Sequence, residues 1–263
     1  MSENATTETT EDRIDIARAA ALMAAVDGAE RDLTVGSALP PFAHHAFFWA
    51  ALPEAALGRD GTPAPGQGGP VPDLGLPVRM YAGGQVRWHA PFRASIQAER
   101  VSRVTSITRK EGQSGALAFV TIRHDIRQRG QAVLSEDQTL VYRGAAGPGD
   151  PVTVTEEVDE RRALKLTAVG LFRFSALTFN GHRIHYDADY ARELGYPGLV
   201  VHAPLMAMHL ALWAEERQGR LDRFAFRAVS PLYLGDVAWL CRAGNRYWVE
   251  GPKRRLCLTA EAG

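Results

Sequence analysis

Four of the chain's eight histidines, His182, His185, His202 and His209, lie between Asn180 and His209. Imidazole titrates nearest neutrality and both accepts and gives protons, so such a cluster beside polar groups suits general acid-base chemistry. A metal centre is the competing use, because His182 and His185 are three apart and would share a helix face. No carboxylate stands at ligand spacing on that face, and Arg183 between them would oppose a divalent cation, so no metal is expected. A third use is ordinary, a buried histidine satisfied by hydrogen bonds. Just downstream runs Val201-His202-Ala203-Pro204. Proline loses nothing in a first helical turn, so Pro204 opens the apolar helix that follows, and the N–H near Ala203 is free to hold an oxyanion.

These residues must be positioned by helices and strands that the pattern of the chain foretells. Residues 1 to 13 read as a frayed tail and Ile14 to Val26 as a short amphipathic helix. FAHHAFFWAALPEAALG reads as a broken helical stretch, and RDGTPAPGQGGPVPDLGLP as a Pro/Gly loop long enough to be either disordered or part of a site. From Met80 to Arg143, period-two alternation gives four antiparallel strands, with turns at Lys110-Glu111-Gly112 and Gln128-Arg129-Gly130. GAAGPGDP, Gly144 to Pro151, marks a boundary, so the chain divides into 1–150 and 151–263. The second half repeats the order: a short helix and loop, a longer helix over VVHAPLMAMHLALWAEER, then strands. An offset of 140 residues, placing His45 on His185, suggests duplication, carried by the order of elements rather than by identities. Helices preceding antiparallel strands indicate an α+β fold.

Composition narrows the function. The chain has 263 residues, with 30 Lys+Arg against 30 Asp+Glu, so it lacks the basic field that neutralises phosphates and nucleic acid is set aside. Neither a Gly-x-Gly-x-x-Gly after a strand, nor a P-loop, nor a Gly-x-Ser-x-Gly elbow is present, and no cofactor is expected. Cys241 and Cys257 read as small buried hydrophobes. The apolar run Leu199–Trp213 is too short to span a bilayer and the N-terminus has no signal-peptide pattern, so a cytoplasmic protein without membrane partners is expected.

FSALTFNGHRIHYDADYARELGYPGLVVHAPL resembles the hydratase motif of the MaoC-like, hot-dog-fold enoyl-thioester hydratases and dehydratases. PVRMYAGGQVRW and HHAFFWAALPEAALGRDG resemble the first half of a narrower group. That group holds the mitochondrial-type 3-hydroxyacyl-thioester dehydratases and the itaconyl-CoA and mesaconyl-C4-CoA hydratases. The resemblance implies a double hot-dog of two antiparallel sheets, each wrapping a helix, with the active site kept in 151–263 and the first half catalytically degenerate. His44 and His45 would then mark the lost second site. The family's catalytic His falls on His185 and its oxyanion N–H on Ala203, after His202. Its Asp falls on Asn180, its Asn on His182 and its Pro on Arg183, three departures from the common pattern.

An amide cannot exchange a proton at neutral pH, so Asn180 would orient water while His185, helped by His182, carries the protons. Arg183 and Arg173 would meet the free carboxylate of a dicarboxylic acyl group, the alternative being that Arg183 pairs with Asp187 or Asp189 in its own loop, and Arg79, Arg87 and Arg93 would meet coenzyme A phosphates or plain solvent. The function implied is reversible hydration of a short-chain enoyl-CoA, or of an acyl-carrier-protein thioester. The alternatives are a thioesterase and a non-catalytic acyl-thioester binding module. A homodimer is compatible with either.

Overall fold

A computed structural model describes residues 6–26, 32–112, 115–144, 147 and 149–263. Residues 1–5 of the expected tail, and 145, 146 and 148 of the expected linker, lie outside the described residues. The order of elements is β1 (Thr7–Arg13), α1 (Ile16–Val26), β2 (Val78–Trp88), β3 (Gln97–Gly112), β4 (Gly115–Gln128), β5 (Gln131–Arg143), β6 (Glu160–Leu164), α2 (Ala168–Leu177), α3 (Ala188–Glu193), α4 (Ala203–Gln218), β7 (Arg223–Ala228), β8 (Ala238–Ala243), β9 (Arg246–Gly251) and β10 (Arg255–Ala262).

Two expectations need correction. Thr7–Arg13 is not a frayed tail but a strand, paired antiparallel with β3 from Thr7 opposite Arg103 to Arg13 opposite Gln97. The long β3 offers a free row of backbone donors and acceptors, and a Thr/Glu strand can take them because pairing does not require an apolar face. FAHHAFFWAALPEAALG holds no α-helix. It contains 3₁₀ turns at Ala43–Ala46 and Glu54–Ala56, parted by Pro53, which cannot continue a hydrogen-bonded helix.

The strands join edge to edge into one antiparallel sheet in the order β1-β3-β4-β5-β2-β7-β10-β9-β8-β6. The sequence led us to expect two sheets; they are continuous because β2 pairs with β5 on one side and β7 on the other. Glycine makes this joint: at Gly83, φ +156°, a Cβ would stand 2.5 Å from the Phe226 carbonyl oxygen. α1 lays Ala19, Leu22, Met23 and Val26 into the core at helical spacing. α4 is buried on nearly all sides, Leu205, Met208, Leu210 and Trp213 among its buried residues, as befits the helix the second half-sheet wraps. Pro204 opens it and Gly219, at φ +81°, ends it. Cys241 and Cys257 are free, buried thiols. Among the described residues no helix is long and apolar enough to cross a membrane.

Candidate active site

A cavity of about 1330 Å³, lined by both halves of the chain, contains Asn180, His182, His185 and Ala203. Its size admits an extended, partly apolar ligand. α2, N-capped by the Thr167 side chain on Gly170 N–H, ends at Thr178, and Phe179 takes a left-handed φ of 52°. That reversal drops the chain into Asn180, whose side-chain oxygen accepts from the His182 N–H at 3.1 Å and braces the next turn. The 3₁₀ turn Arg183–His185 then buries His185.

His185 Nδ1 lies 2.7 Å from the Val200 carbonyl oxygen. A carbonyl only accepts, so Nδ1 carries the hydrogen and Nε2 keeps its lone pair. Burial, then the neighbouring His182, pushes the His185 pKa down to about 3. The ring is therefore a neutral base at physiological pH. His182 stands 5.4 Å away, ring centre to ring centre, and burial, then Arg79, lowers its pKa to about 4. His202 stacks on His185 at 3.6 Å and shares a 2.8 Å hydrogen bond with Ser175 Oγ. Burial holds its pKa well below the usual imidazole range, and its buried Nδ1 has no hydrogen-bond partner among the described residues. His202 is the N-cap of α4 yet offers no side-chain cap, so the first N–H groups of α4 remain for a ligand where Ala203 meets the cavity.

The other sequence candidates lie elsewhere. Arg183 does not face the cavity: it pairs with Asp187 at 2.7 Å, donates to the Arg59 carbonyl oxygen and lies over the Tyr190 ring. A cation three residues into this loop finds its nearest carboxylate four positions on, which draws it outward. Arg173 is exposed on α2 and is not among the cavity-lining residues. His209 lies further along α4, on a separate pocket with Arg162 and Trp213.

Two further groups border the site whose partners the sequence does not reveal. The Pro/Gly loop belongs to the site: Arg183 N–H donates to the Asp60 carbonyl oxygen at 2.8 Å, and Gly61 packs on Gly181. Asp60 Oδ2 thereby comes within 4.0 Å of His182 Nε2. The Asp-Gly pair was the only local signal, and it marks turns in general. A Cβ on Gly61, at φ +79°, would stand 2.1 Å from the Gly181 carbonyl oxygen. Gly61→Ala is expected to cost roughly 1–3 kcal/mol and to impair turnover by forcing the loops apart. Urea unfolding and steady-state kinetics measure the two effects.

The second group is His44, His45, Tyr81 and Glu136, which line the same cavity rather than a separate lost site. Both His44 and His45 Nε2 lie 3.1 Å from a Glu136 oxygen, and Tyr81 OH donates at 2.8 Å. Burial alone would raise the Glu136 carboxyl, but these donors hold it well below the usual range. His44 falls to about 4, chiefly through burial, and so donates as neutral imidazole. The three metal-capable groups, whose ligand atoms lie within 4.8 Å of one another, thus satisfy each other by hydrogen bonds.

Residues 42–234 match the hydroxyacyl-thioester dehydratase type 2 family. The chain is 42% identical over 264 residues to a mesaconyl-C(4)-CoA hydratase of Chloroflexus aurantiacus, covering 97% of this chain and 94% of that one. It is 28% identical over 244 residues to a mitochondrial hydroxyacyl-thioester dehydratase type 2 of Schizosaccharomyces pombe, covering 81% of each. Among solved structures it is similar to HtdX of Mycobacterium tuberculosis, with a TM-score of 0.67, 16% identity, and coverage of 98% of this chain and 99% of that one. A second protein of that organism, described as having a double hot-dog fold, superposes with a TM-score of 0.62 at 12% identity, covering 100% and 96%. The structural likeness shows the fold.

Proposed function

The chain belongs to the hydroxyacyl-thioester dehydratase type 2 family, and from that premise we propose that it is a hydro-lyase adding water reversibly to a short-chain enoyl-CoA thioester. The observation that carries the reading is His185: its Nδ1–H is spent on Val200, its Nε2 is an unprotonated base, and it borders a cavity fit for an acyl thioester. In hydration, water gives a proton to His185 Nε2 as its oxygen bonds Cβ, and the π electrons move to the thioester oxygen as an enolate. The first N–H of α4, at Ala203, holds that oxygen, and Asn180 orients the water. The enolate then takes the proton at Cα, so one water is added and the enzyme is unchanged.

A dicarboxylic C4 enoyl-CoA is the preferred substrate class, by analogy with the Chloroflexus relative. Arg183, committed to Asp187, does not serve its carboxylate in this reading, and Arg173 does not either. Arg79, which lines the cavity and whose charge helps to depress the His182 pKa, is the better placed cation. The halves 1–150 and 151–263 are retained: the second supplies the base and oxyanion donor, the first the β2–β5 wall of the cavity. An acyl-carrier-protein thioester, a homodimer and a cytoplasmic setting belong to the same proposal.

Mesaconyl-C4-CoA, itaconyl-CoA and crotonyl-CoA, followed for enoyl absorbance and thiol release in parallel, provide the test. Loss of absorbance without thiol is expected, fastest with mesaconyl-C4-CoA. Thiol release would make the protein a thioesterase, and binding with neither change would make it an acyl-thioester binding module.

A further inference from the structure

Hydration needs the imidazole pair to hold a proton briefly, yet every group near His182 within its own turn opposes a positive charge there. His185 and His202 are buried imidazoles, and Asn180 is an amide. Arg79 on β2 is a cation, and the adjacent Arg183 is neutralised by Asp187. Among the described residues the carboxylate paired with this ring is Asp60, from the other half of the chain, with side-chain exposures of 13% for His182 and 16% for Asp60. We propose that Asp60 is the positioning carboxylate of this active site, reaching across from the Pro/Gly loop to hold the Nε2 side of His182 during proton transfer.

Three observations support this assignment. Asp60 is fixed rather than free: Thr62 N–H donates to its Oδ1 and the Thr62 hydroxyl is shared between Oδ1 and Oδ2, each at 2.9 Å, which holds the carboxylate with Oδ2 on the His182 side. Its backbone is tied to the catalytic turn by the Arg183 N–H bond and by the glycine-on-glycine contact of Gly61 with Gly181, which no side chain could enter. His182 itself lines the cavity, so a ring held at Nε2 turns its other nitrogen to water or substrate. The 4.0 Å separation is one step longer than a hydrogen bond, a gap that a bridging water or closure on substrate removes. Asp60 thus acts through His182: it selects the tautomer with hydrogen on Nε2 and stabilises the imidazolium formed while His182 and His185 hold the water's proton before Cα receives it.

This inference rests on the hydratase reading, and its test separates the two. Asp60→Asn keeps the shape and the two Thr62 hydrogen bonds to Oδ1 but places an NH₂ where Oδ2 met the Thr62 hydroxyl and faced His182. The tautomer should flip, seen by ¹⁵N spectroscopy of histidine-labelled protein at pH 7.5, and kcat should fall roughly 100-fold with KM changed less than about threefold. Adding Asn180→Asp, which returns a carboxylate beside the same imidazoles, should recover at least about a tenth of the lost activity. An unmoved tautomer, or a kcat near wild type, would overturn the role of Asp60 while leaving the hydratase reading intact. A flipped tautomer in a protein whose wild type hydrates none of the three thioesters would keep the contact and reject the hydratase reading.

Discussion

His185→Ala lowers kcat for hydration by about a thousand-fold, within the span that a single general base contributes. The size of the effect follows from His185 being the group that first takes the proton from water, a step its neighbours do not perform directly. Asn180 cannot take a proton, His202 has its Nε2 on Ser175, and His182 lies 5.4 Å away, ring to ring. KM should change little, because the ring binds the reacting water rather than the body of the thioester. His185→Gln can still donate to the Val200 carbonyl oxygen, so it separates loss of the base from loss of the brace. Similar melting temperatures with equally low kcat for the two variants would assign the effect to chemistry. Turnover of His185→Ala within tenfold of wild type would remove His185 from the mechanism.

The second large effect is on stability against pH. His44 and His182 have pKa values near 4 and His185 near 3, all depressed from 6.5 mainly by burial. Below pH 6.5 the unfolded chain binds protons that the folded protein refuses, so stability falls as pH drops from 6.5 toward these values. By pH 4 each of the three removes roughly 2–3 kcal/mol, a sum comparable with the whole stability of an ordinary domain. Glu136 adds to the loss at the lower end. Its depressed carboxyl stabilises the fold above its unfolded pKa and ceases to do so as pH falls through its folded value. Urea midpoints at pH 7.5, 6, 5 and 4 should decline steadily, with cooperative unfolding in mild acid. A midpoint unchanged between pH 7.5 and 5 would mean that these rings are protonated in the folded state.

What could be read from the sequence were features written locally. The β4–β5 turn at Gln128-Arg129-Gly130 and the helix after Pro204 appear where alternation and proline place them. His185 reaches the cavity as the motif implied. What escaped depends on partners distant in the chain. β1 exists because β3 has an open edge some ninety residues later, and Glu8 or Thr10 alone cannot announce it. Nothing local distinguishes Glu136 from any other polar strand residue; its partners His44 and His45 stand about ninety positions earlier. Arg183 could be read from the sequence either as a cation for substrate or as the partner of Asp187 or Asp189 in its own loop, and the structure shows the Asp187 pair. Asp60 sat in a loop whose composition did not distinguish disorder from a built wall.

The pairing of β2 with β7 also governs how the protein can come apart. A half expressed alone would present β2 or β7 as a bare sheet margin, with Gly83 and Gly84 or Phe224 and Phe226 unprotected. Such a fragment would recruit another copy or precipitate before it displayed any chemistry. The chain is therefore a single cooperative unit, and co-expressed halves would regain solubility only by rejoining at that seam.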